Sequence, residues 1–426
     1  MKKLLYLMAI ASFVACTNDE EMNLLTENLP EESVSVEKRS FQEALEVAQN
    51  APEIFGGTTT RGELKQVTLA DTQYIISDAS TRNDAPDTLM YVFNYEDNQG
   101  FAVVSANKST EALIAVTEQG NYNEETTTNN PGLALYMDMA KNYVARGGIL
   151  PPGSSIGGGG LPITEQKEET TTSTTDYGPL LEVRWGQNWP YNFYCKKNDN
   201  SLTNTGCVPT ALAQIFSYTG YPTSMSINYD NSNIHTLNIN WNTFKAHVGA
   251  YDSCNCTSDI HYQLSEMFRQ IGKEVNVNYE ETSGTNNSQV VNYLNRLGYS
   301  HSGLINYSHN TIINSLSNSK LIYISGDIEG TNNGHGWVID GYKRIETTTS
   351  KYKREYGQLE WTLVSSSSVT HSYHHFNWGK DGDGNGYFNI GVFCPNDPYE
   401  LDEGVSESYS SSDYSSNIKI IANISH

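Results

Sequence analysis

The part of the chain after residue 176 contains, in this order, Gln187, Cys207, His335 and Asn377. A cysteine nucleophile needs a base beside it, and the base needs a third group that fixes its orientation. His335 can serve as this base, and Asn377 can accept a hydrogen bond from its imidazole while the indole of Trp378 shields that bond from water. The amide of Gln187 can join the backbone N–H of Cys207 in an oxyanion hole. These side chains predict acyl transfer through a thiol.

The segment around Cys207 predicts an amphipathic helix that begins at the cysteine. Pro209 suits a first helical turn, and Gly220 suits a helix end. The apolar positions recur at helical spacing: Val208, Leu212, Ile215 and Phe216. Because the first turn presents unpaired N–H groups and the positive end of the helix dipole, we expect a lowered pKa for the Cys207 thiol. For this helix alone, the alternative is a buried structural cysteine.

The base and its partner are expected on strands. His335 precedes an apolar run at Trp337–Tyr342, and Asn377 lies near the end of a second run at Ser372–Trp378. Helical patterns come earlier in this part of the chain, at His261–Ile271, Ser288–Leu297 and Asn310–Leu316, and further strand patterns lie at 321–325, 359–364 and 387–390. Helices followed by strands predict an α+β fold with a helical half packed on an antiparallel sheet.

Length, charge and the first residues limit location and partners. A chain of 426 residues suggests two domains, and a net charge of -23 argues against nucleic acid as a partner. Residues 1–15 have the charged start and short apolar run of a signal peptide. Phe-Val-Ala-Cys at 13–16 resembles a lipoprotein lipobox. We therefore expect a lipid on Cys16 and an extracytoplasmic, outer-membrane lipoprotein that is surface-exposed or released on maturation, with plain secretion as the alternative.

Composition divides the remaining chain into four parts. Residues 16–37 are acidic and polar, which predicts a tether, and residues 38–149 predict a small α+β domain without a catalytic constellation. The Gly-, Pro- and Thr-rich residues 150–176 predict an exposed linker that a protease can cut. Residues 177–426 then form the domain that contains the catalytic candidates.

The remaining cysteines leave several disulfide patterns open. Cys195, Cys254, Cys256 and Cys394 could form two disulfides in one of three pairings, or all four could remain reduced thiols. A bridge between Cys254 and Cys256 would close a strained ring.

Two candidate metal sites have simpler explanations. His371 and His374 would fall on opposite faces of a strand, so they do not form a zinc site. Residues 381–386 begin like a calcium loop, but Val392 stands where the twelfth-position glutamate belongs. We expect no metal and no cofactor.

Four motifs occur together in the second domain: Trp-Gly-Gln-x-x-Pro-Tyr-Asn at 185–192, Thr-Gly-Cys-Val-x-Thr-Ala-x-Ala-Gln-Ile at 205–215, Gly-His-x-x-Val-Ile-Asp-Gly-Tyr at 334–342 and Phe-Asn-Trp-Gly at 376–379. In order and approximate spacing they resemble the streptopain family of papain-fold cysteine peptidases. Gly100–Ala106 and Ala112–Val116 are similar to the inhibitory propeptide of that family. The resemblance implies a bacterial zymogen with a papain-like catalytic domain of two halves behind a propeptide domain.

By this resemblance, Cys207 is the nucleophile, His335 the general base and acid, Gln187 the oxyanion donor, and Asn377 with Trp378 the element that orients the histidine. The expected function is a secreted or surface-anchored cysteine endopeptidase that processes itself. Its expected partners are protein or peptide substrates and its own propeptide. The alternative is a catalytically silent papain-fold protein that binds or inhibits a partner at the cell surface.

Overall fold

The computed structural model describes residues 37–55, 68–77, 87–123, 126, 129–147, 164–229, 234–247, 249, 258–280, 285–327, 334–355, 359–393 and 418–426. These residues belong to one compact unit, Val36–His426. None of the helices within these ranges is both long enough and apolar enough to cross a bilayer. The predicted signal peptide, Cys16 and nearly all of the predicted tether lie outside the described residues.

Seven α-helices lie in the described ranges: α1 Phe41–Phe55, α2 Pro131–Ala145, α3 Cys207–Thr219, α4 Trp241–Lys245, α5 Ser258–Glu274, α6 Asn287–Leu297 and α7 His309–Ser317. The same ranges contain these strands: β1 Leu69–Ile76, β2 Thr88–Tyr95, β3 Phe101–Ser105, β4 Leu113–Thr117, β5 Thr164–Tyr177, β6 Ser224–Ile227, β7 His235–Asn238, β8 Ile305–Asn306, β9 Leu321–Asp327, β10 Gly334–Glu355, β11 Thr362–Asn377, β12 Gly386–Asn389 and β13 Lys419–Ile424.

One large antiparallel sheet joins the beginning and the end of the chain. Its strand order is β1-β2-β3-β4-β12-β11-β10-β9-β13-β8, and β5 pairs with the outer part of β10. The strands of the propeptide region meet those of the catalytic region where β4 pairs with β12, with Val116 opposite Tyr387. Strand pairing is therefore continuous across the two parts of the chain that composition separates.

Three apolar clusters hold the helices to this sheet. α2 of the propeptide region packs on catalytic strands through one cluster that includes Tyr136, Trp337 and Phe376. The helices α3, α5 and α6 form a second cluster with β9, which is the predicted helical half of the catalytic region. α1 covers the opposite face of the sheet through a third cluster with Phe93 and Tyr387. The predicted α+β class with a helical half and an antiparallel sheet half is confirmed.

The strands β5, β10 and β11 continue into a polar arm. β10 pairs with β11 from Val338 to Lys353, whereas the predicted strand ends at Tyr342. The patterns at 359–364 and 372–378 belong largely to one strand, β11. The sequence suggests two strands because the serine-rich middle of β11 hides its continuity. Residues 164–176, assigned to the linker by composition, form most of β5. Their side chains are largely exposed, so backbone pairing and β-branched threonines form this strand without a core.

Candidate active site

Cys207 is the first residue of α3, as the sequence predicts. Gly206 precedes it with φ 92°, a conformation that favours glycine, and Gly220 ends the helix in the left-handed region. The Thr210 hydroxyl donates to the Gly206 carbonyl at 2.9 Å and so fixes the first turn. Cys207 is a free cysteine, and the residue as a whole is half-buried.

Burial raises the pKa of the Cys207 thiol above its ordinary value. The N–H groups of Gly336, Val208 and Cys207 and the positive charge of Lys380 act in the opposite direction without overcoming it. The expectation of a lowered pKa is therefore wrong for this form of the chain, because desolvation of the thiolate outweighs the helix end. The sulfur is held as a thiol.

His335 lies on β10, and its imidazole is turned toward Trp378. Its Nε2 donates to the Trp378 carbonyl at 3.1 Å, which places the ring proton on that nitrogen. Burial, assisted by the nearby Lys380 charge, lowers the pKa of His335 to about 3. Although both residues are described, no hydrogen bond joins His335 to Cys207. The pair is therefore neutral, and the thiolate–imidazolium pair that a cysteine peptidase uses is not formed.

Asn377 and Trp378 do not contact His335 in the way that the sequence predicts. The Asn377 amide donates to the Val183 carbonyl at 3.1 Å and accepts from the Gly379 N–H at 3.1 Å. Its bonds fix the backbone around the site and do not include His335. Trp378 contacts His335 through its main-chain carbonyl, and its indole donates to Gly384 O at 3.0 Å.

Gln187 is fastened to the segment before Cys207 and has a side-chain N–H donor that bonds to no described residue. The Thr205 N–H donates to the Gln187 carbonyl at 3.0 Å, so the segment before Cys207 is fastened to the segment that contains the glutamine. The Gln187 side chain is 6% exposed, and its Nε2 has no hydrogen-bond partner among the described residues. Because a buried amide without a partner costs roughly 1–3 kcal/mol, this donor is suited to an acceptor that arrives with a substrate.

The first turn of α2 covers the histidine. A Cβ at Gly132 would lie 2.5 Å from His335 Cδ2 and 2.5 Å from Trp378 Cζ3, so only glycine fits at this contact. The Asn130 side chain caps the helix by accepting from the Leu133 N–H at 3.1 Å. The sequence gives no sign of this contact, because it joins residues about 200 positions apart that no periodic pattern links.

The candidate metal ligands have separate partners. His371 pairs with Glu111, His374 with His309 at 3.1 Å, and His375 with Asp340 at 2.6 Å. Within the described residues no group of three or more potential ligands could hold a metal ion.

The calcium-like turn at 381–386 is built by local bonds. The amide oxygen of Asn385 accepts from the Trp378 N–H at 3.0 Å, and the Gly384 N–H donates to the Gln119 carbonyl at 3.0 Å. Asn385, one of the potential calcium ligands, therefore already accepts a hydrogen bond from the residue that follows β11.

Cys195 is buried and free, and burial raises the pKa of its thiol to about 11. Because Cys195 is free, none of the three predicted two-disulfide pairings forms, and Cys254, Cys256 and Cys394 lie outside the described residues. Lys380 is a residue of the site that the sequence reasoning missed. Its position directly after the Phe-Asn-Trp-Gly motif is the one signal that could have singled it out.

Comparison with known proteins agrees with this geometry. The Peptidase C10 family matches residues 185–388, and the Spi protease inhibitor family matches residues 33–144. Streptopain of Streptococcus pyogenes is 24% identical over 342 residues, which cover 72% of this chain and 75% of that protein. The thiol protease/hemagglutinin PrtT of Porphyromonas gingivalis is 23% identical over 339 residues, which cover 72% of this chain and 34% of that protein.

Among solved structures, a fragment of prointerpain A from Prevotella intermedia aligns with a TM-score of 0.49 and 18% identity, covering 83% of this chain and 99% of that one. Two family matches and the curated relatives bear on the family of this chain. They support a peptidase made with its inhibitor and not the catalytically silent alternative. Residues 185–388 are therefore a Peptidase C10 domain, residues 33–144 in front of it are a Spi-type inhibitor domain, and the chain is a cysteine peptidase zymogen.

Proposed function

We propose that Cys207 and His335 perform peptide hydrolysis in this enzyme and that the first turn of α2 keeps them apart in the zymogen. The observation that carries the proposal is the position of Gly132, which packs on His335 while the imidazole donates to Trp378. The Gly336 N–H is directed at the Cys207 sulfur, so the histidine backbone is already beside the thiol. We propose that the imidazole approaches the sulfur once α2 no longer packs on it.

In the processed enzyme, His335 takes the Cys207 proton, and the thiolate attacks the scissile carbonyl carbon. The oxygen that becomes negative is held by Gln187 Nε2 and the Cys207 N–H. The His335 imidazolium then gives its proton to the leaving amine, and the acyl group remains on sulfur. His335 next takes a proton from water, and the resulting attack releases the carboxylic acid and restores the thiol.

The orienting role is assigned to Trp378 and Asn377 together. The carbonyl and indole of Trp378 contact or cover the imidazole, while Asn377 fixes the strand end that carries them. Asn377 is thus a positioning residue that acts through the backbone.

Maturation requires removal of the inhibitor region, and we place the division between residues 38–149 and 177–426. The linker at 150–176 is the proposed region of cleavage. Because β5 pairs with β10 over residues 164–177, a cut on the N-terminal side of β5 leaves this strand with the mature enzyme.

For localisation, we propose an extracytoplasmic enzyme that begins as a lipoprotein. The signal-like residues 1–15 and the lipobox-like Phe-Val-Ala-Cys support export and a lipid on Cys16 at the outer membrane. Metabolic labelling with a radioactive fatty acid tests this assignment. Loss of the label in Cys16→Ser is expected, and an unlabelled wild-type chain in the membrane fraction would contradict it.

The test of the catalytic assignment is self-processing of the full-length chain. Cys207→Ala is expected to accumulate uncut, whereas Cys195→Ala, which removes a free thiol outside the proposed machinery, is expected to mature as the wild type does. Processed wild-type enzyme should be labelled at Cys207 by a thiol-directed peptidyl epoxide. Normal self-processing of Cys207→Ala, or labelling at another cysteine, would refute the assignment.

A further inference from the structure

Lys380 lies between the two walls of the proposed active site. The preceding residue, Gly379, packs on α3 one turn after the nucleophile, since a Cβ there would lie 2.9 Å from Thr210 Cγ2. The following residue, Asp381, packs on the other wall, since a Cβ at Gly186 would lie 2.0 Å from Asp381 Oδ2. Lys380 is thus fixed between the Cys207 helix and the segment that carries Gln187.

The positive charge of Lys380 acts on both the Cys207 thiol and the His335 imidazole. Asp381 and Asp383 attract it, and yet neither they nor another described residue forms an ion pair or a hydrogen bond with the ammonium. Burial lowers the pKa of Lys380, which means that the charged form lacks the solvation of a surface lysine.

An anion that came close to such a half-buried cation would stabilise it. Gln187, which follows Gly186 in the segment that packs on Asp381, also has a side-chain donor, Nε2, without a partner among the described residues. From these positions we propose that Lys380 is a specificity-determining residue that selects peptide substrates with a carboxylate close to the scissile bond. The carboxylate belongs either to an Asp or Glu side chain or to the C-terminus of the peptide. The inference rests on the proposed peptidase function and adds a substrate class to it.

In the zymogen, the inhibitor region lies against the same turn. A Cβ at Gly120 would lie 2.0 Å from Asp383 Oδ1, and the Gln119 carbonyl accepts from Gly384 N–H. When the inhibitor leaves, Asp383 gains water, which screens its attraction for the ammonium. The cation is then more available to a substrate carboxylate in the mature enzyme than in the zymogen.

The experiment uses processed enzyme and paired peptides. Each pair carries Glu or Gln at one position, from three residues before to three residues after the cut bond, and one further pair ends in a free acid or an amide. Wild type is expected to cleave at least one carboxylate peptide with a higher kcat/KM than its neutral partner, and this ratio should fall as the NaCl concentration rises. Lys380→Met should reduce the ratio by roughly 2- to 5-fold, Lys380→Arg should retain it, and Lys380→Glu should invert it in favour of a Lys-containing peptide.

Lys353→Met is the matched control, because it removes one exposed lysine from the polar arm and should leave the ratio as in wild type. Variants that fail to mature can be processed by wild-type enzyme, and thermal unfolding shows whether they are folded. Equal ratios in wild type and Lys380→Met would overturn the selectivity proposal. So would a changed pH profile of Cys207 alkylation with an unchanged ratio, because Lys380 would then act on the thiol alone. A wild-type enzyme that cleaves neither the peptides nor unfolded protein would refute the peptidase assignment itself.

Discussion

Replacement of Gly132 by alanine should loosen the proposed inhibitory contact of α2 with His335, the proposed catalytic histidine. The added methyl carbon would lie 2.5 Å from His335 Cδ2 and 2.6 Å from Trp378 Cε3. Ordinary carbon–carbon contacts are about 3.5–4.0 Å, so α2 or His335 must move by roughly 1 Å. Trp378 cannot yield, because it is fully buried beside Trp337 and Phe388.

The size of the effect follows from two opposing contributions. Overpacking of a tight contact costs about 1–3 kcal/mol. Gly132 has no positive φ, so alanine fits the helical backbone, and its better helix propensity returns up to about 1 kcal/mol to α2. A net weakening of about 1–2 kcal/mol corresponds to roughly 5- to 30-fold greater opening of the site.

The assay is the rate at which a thiol-directed epoxide labels Cys207 in uncut full-length zymogen, with cleavage followed in parallel on a gel. Gly132→Ala should label roughly 5- to 30-fold faster than wild type and should mature sooner. Asp138→Ala is the control, because this exposed position of α2 gains helix propensity without touching the catalytic region. If Gly132→Ala labels no faster than Asp138→Ala, the contact with His335 does not restrain the site.

Three further outcomes are expected. Gln187→Ala should lower kcat of processed enzyme by about 10²- to 10³-fold with a smaller change in KM. Both constants are measured in a steady-state assay, and a change in KM as large as the change in kcat would argue against an oxyanion role. Alkylation of Cys207 by iodoacetamide should require more alkaline pH in the zymogen than in processed enzyme, because burial raises the thiol pKa and lowers that of His335 to about 3 in the zymogen; identical pH profiles would contradict this. Desolvation lowers the pKa of His375, but the carboxylates of Asp340 and Glu118 outweigh it and raise this pKa to about 10. The stability that the His375–Asp340 pair contributes is therefore present below about pH 6.5 and is lost as pH rises toward 10. Thermal unfolding should show this loss of a few kcal/mol in wild type between these pH values, and an equally steep decline in Asp340→Asn would refute it.

The types and order of the catalytic residues could be read from the sequence because each depends on a local signal. Cys207 starts a helix whose apolar positions recur at helical spacing, and His335 lies next to an apolar strand, as observed. The chain order of Gln187, Cys207, His335 and Asn377 also carried the resemblance to the family. Local periodicity therefore placed the proposed nucleophile at the start of a helix and the proposed base on a strand, and it predicted the α+β class.

Longer polar elements were poorly predicted, since Thr and Ser give no apolar alternation. β5 and the outer parts of β10 and β11 form by backbone pairing with one another, and their side chains stay largely exposed. A strand of this kind has no core-facing pattern from which its length could be inferred.

The hydrogen-bond partner of His335 and the thiol pKa of Cys207 depend on tertiary contacts alone. The imidazole partner is the Trp378 carbonyl and not the Asn377 side chain, and burial raises the thiol pKa although the helix end acts to lower it. The contact of Gly132 with His335 depends on how α2 docks on a sheet made from both ends of the chain. The sequence by itself thus determined which residues can react, through signals within a few turns of helix or strand. Whether they can react in this form of the protein was decided by packing between distant segments, because desolvation and steric contact depend on the surroundings and not on neighbours in sequence.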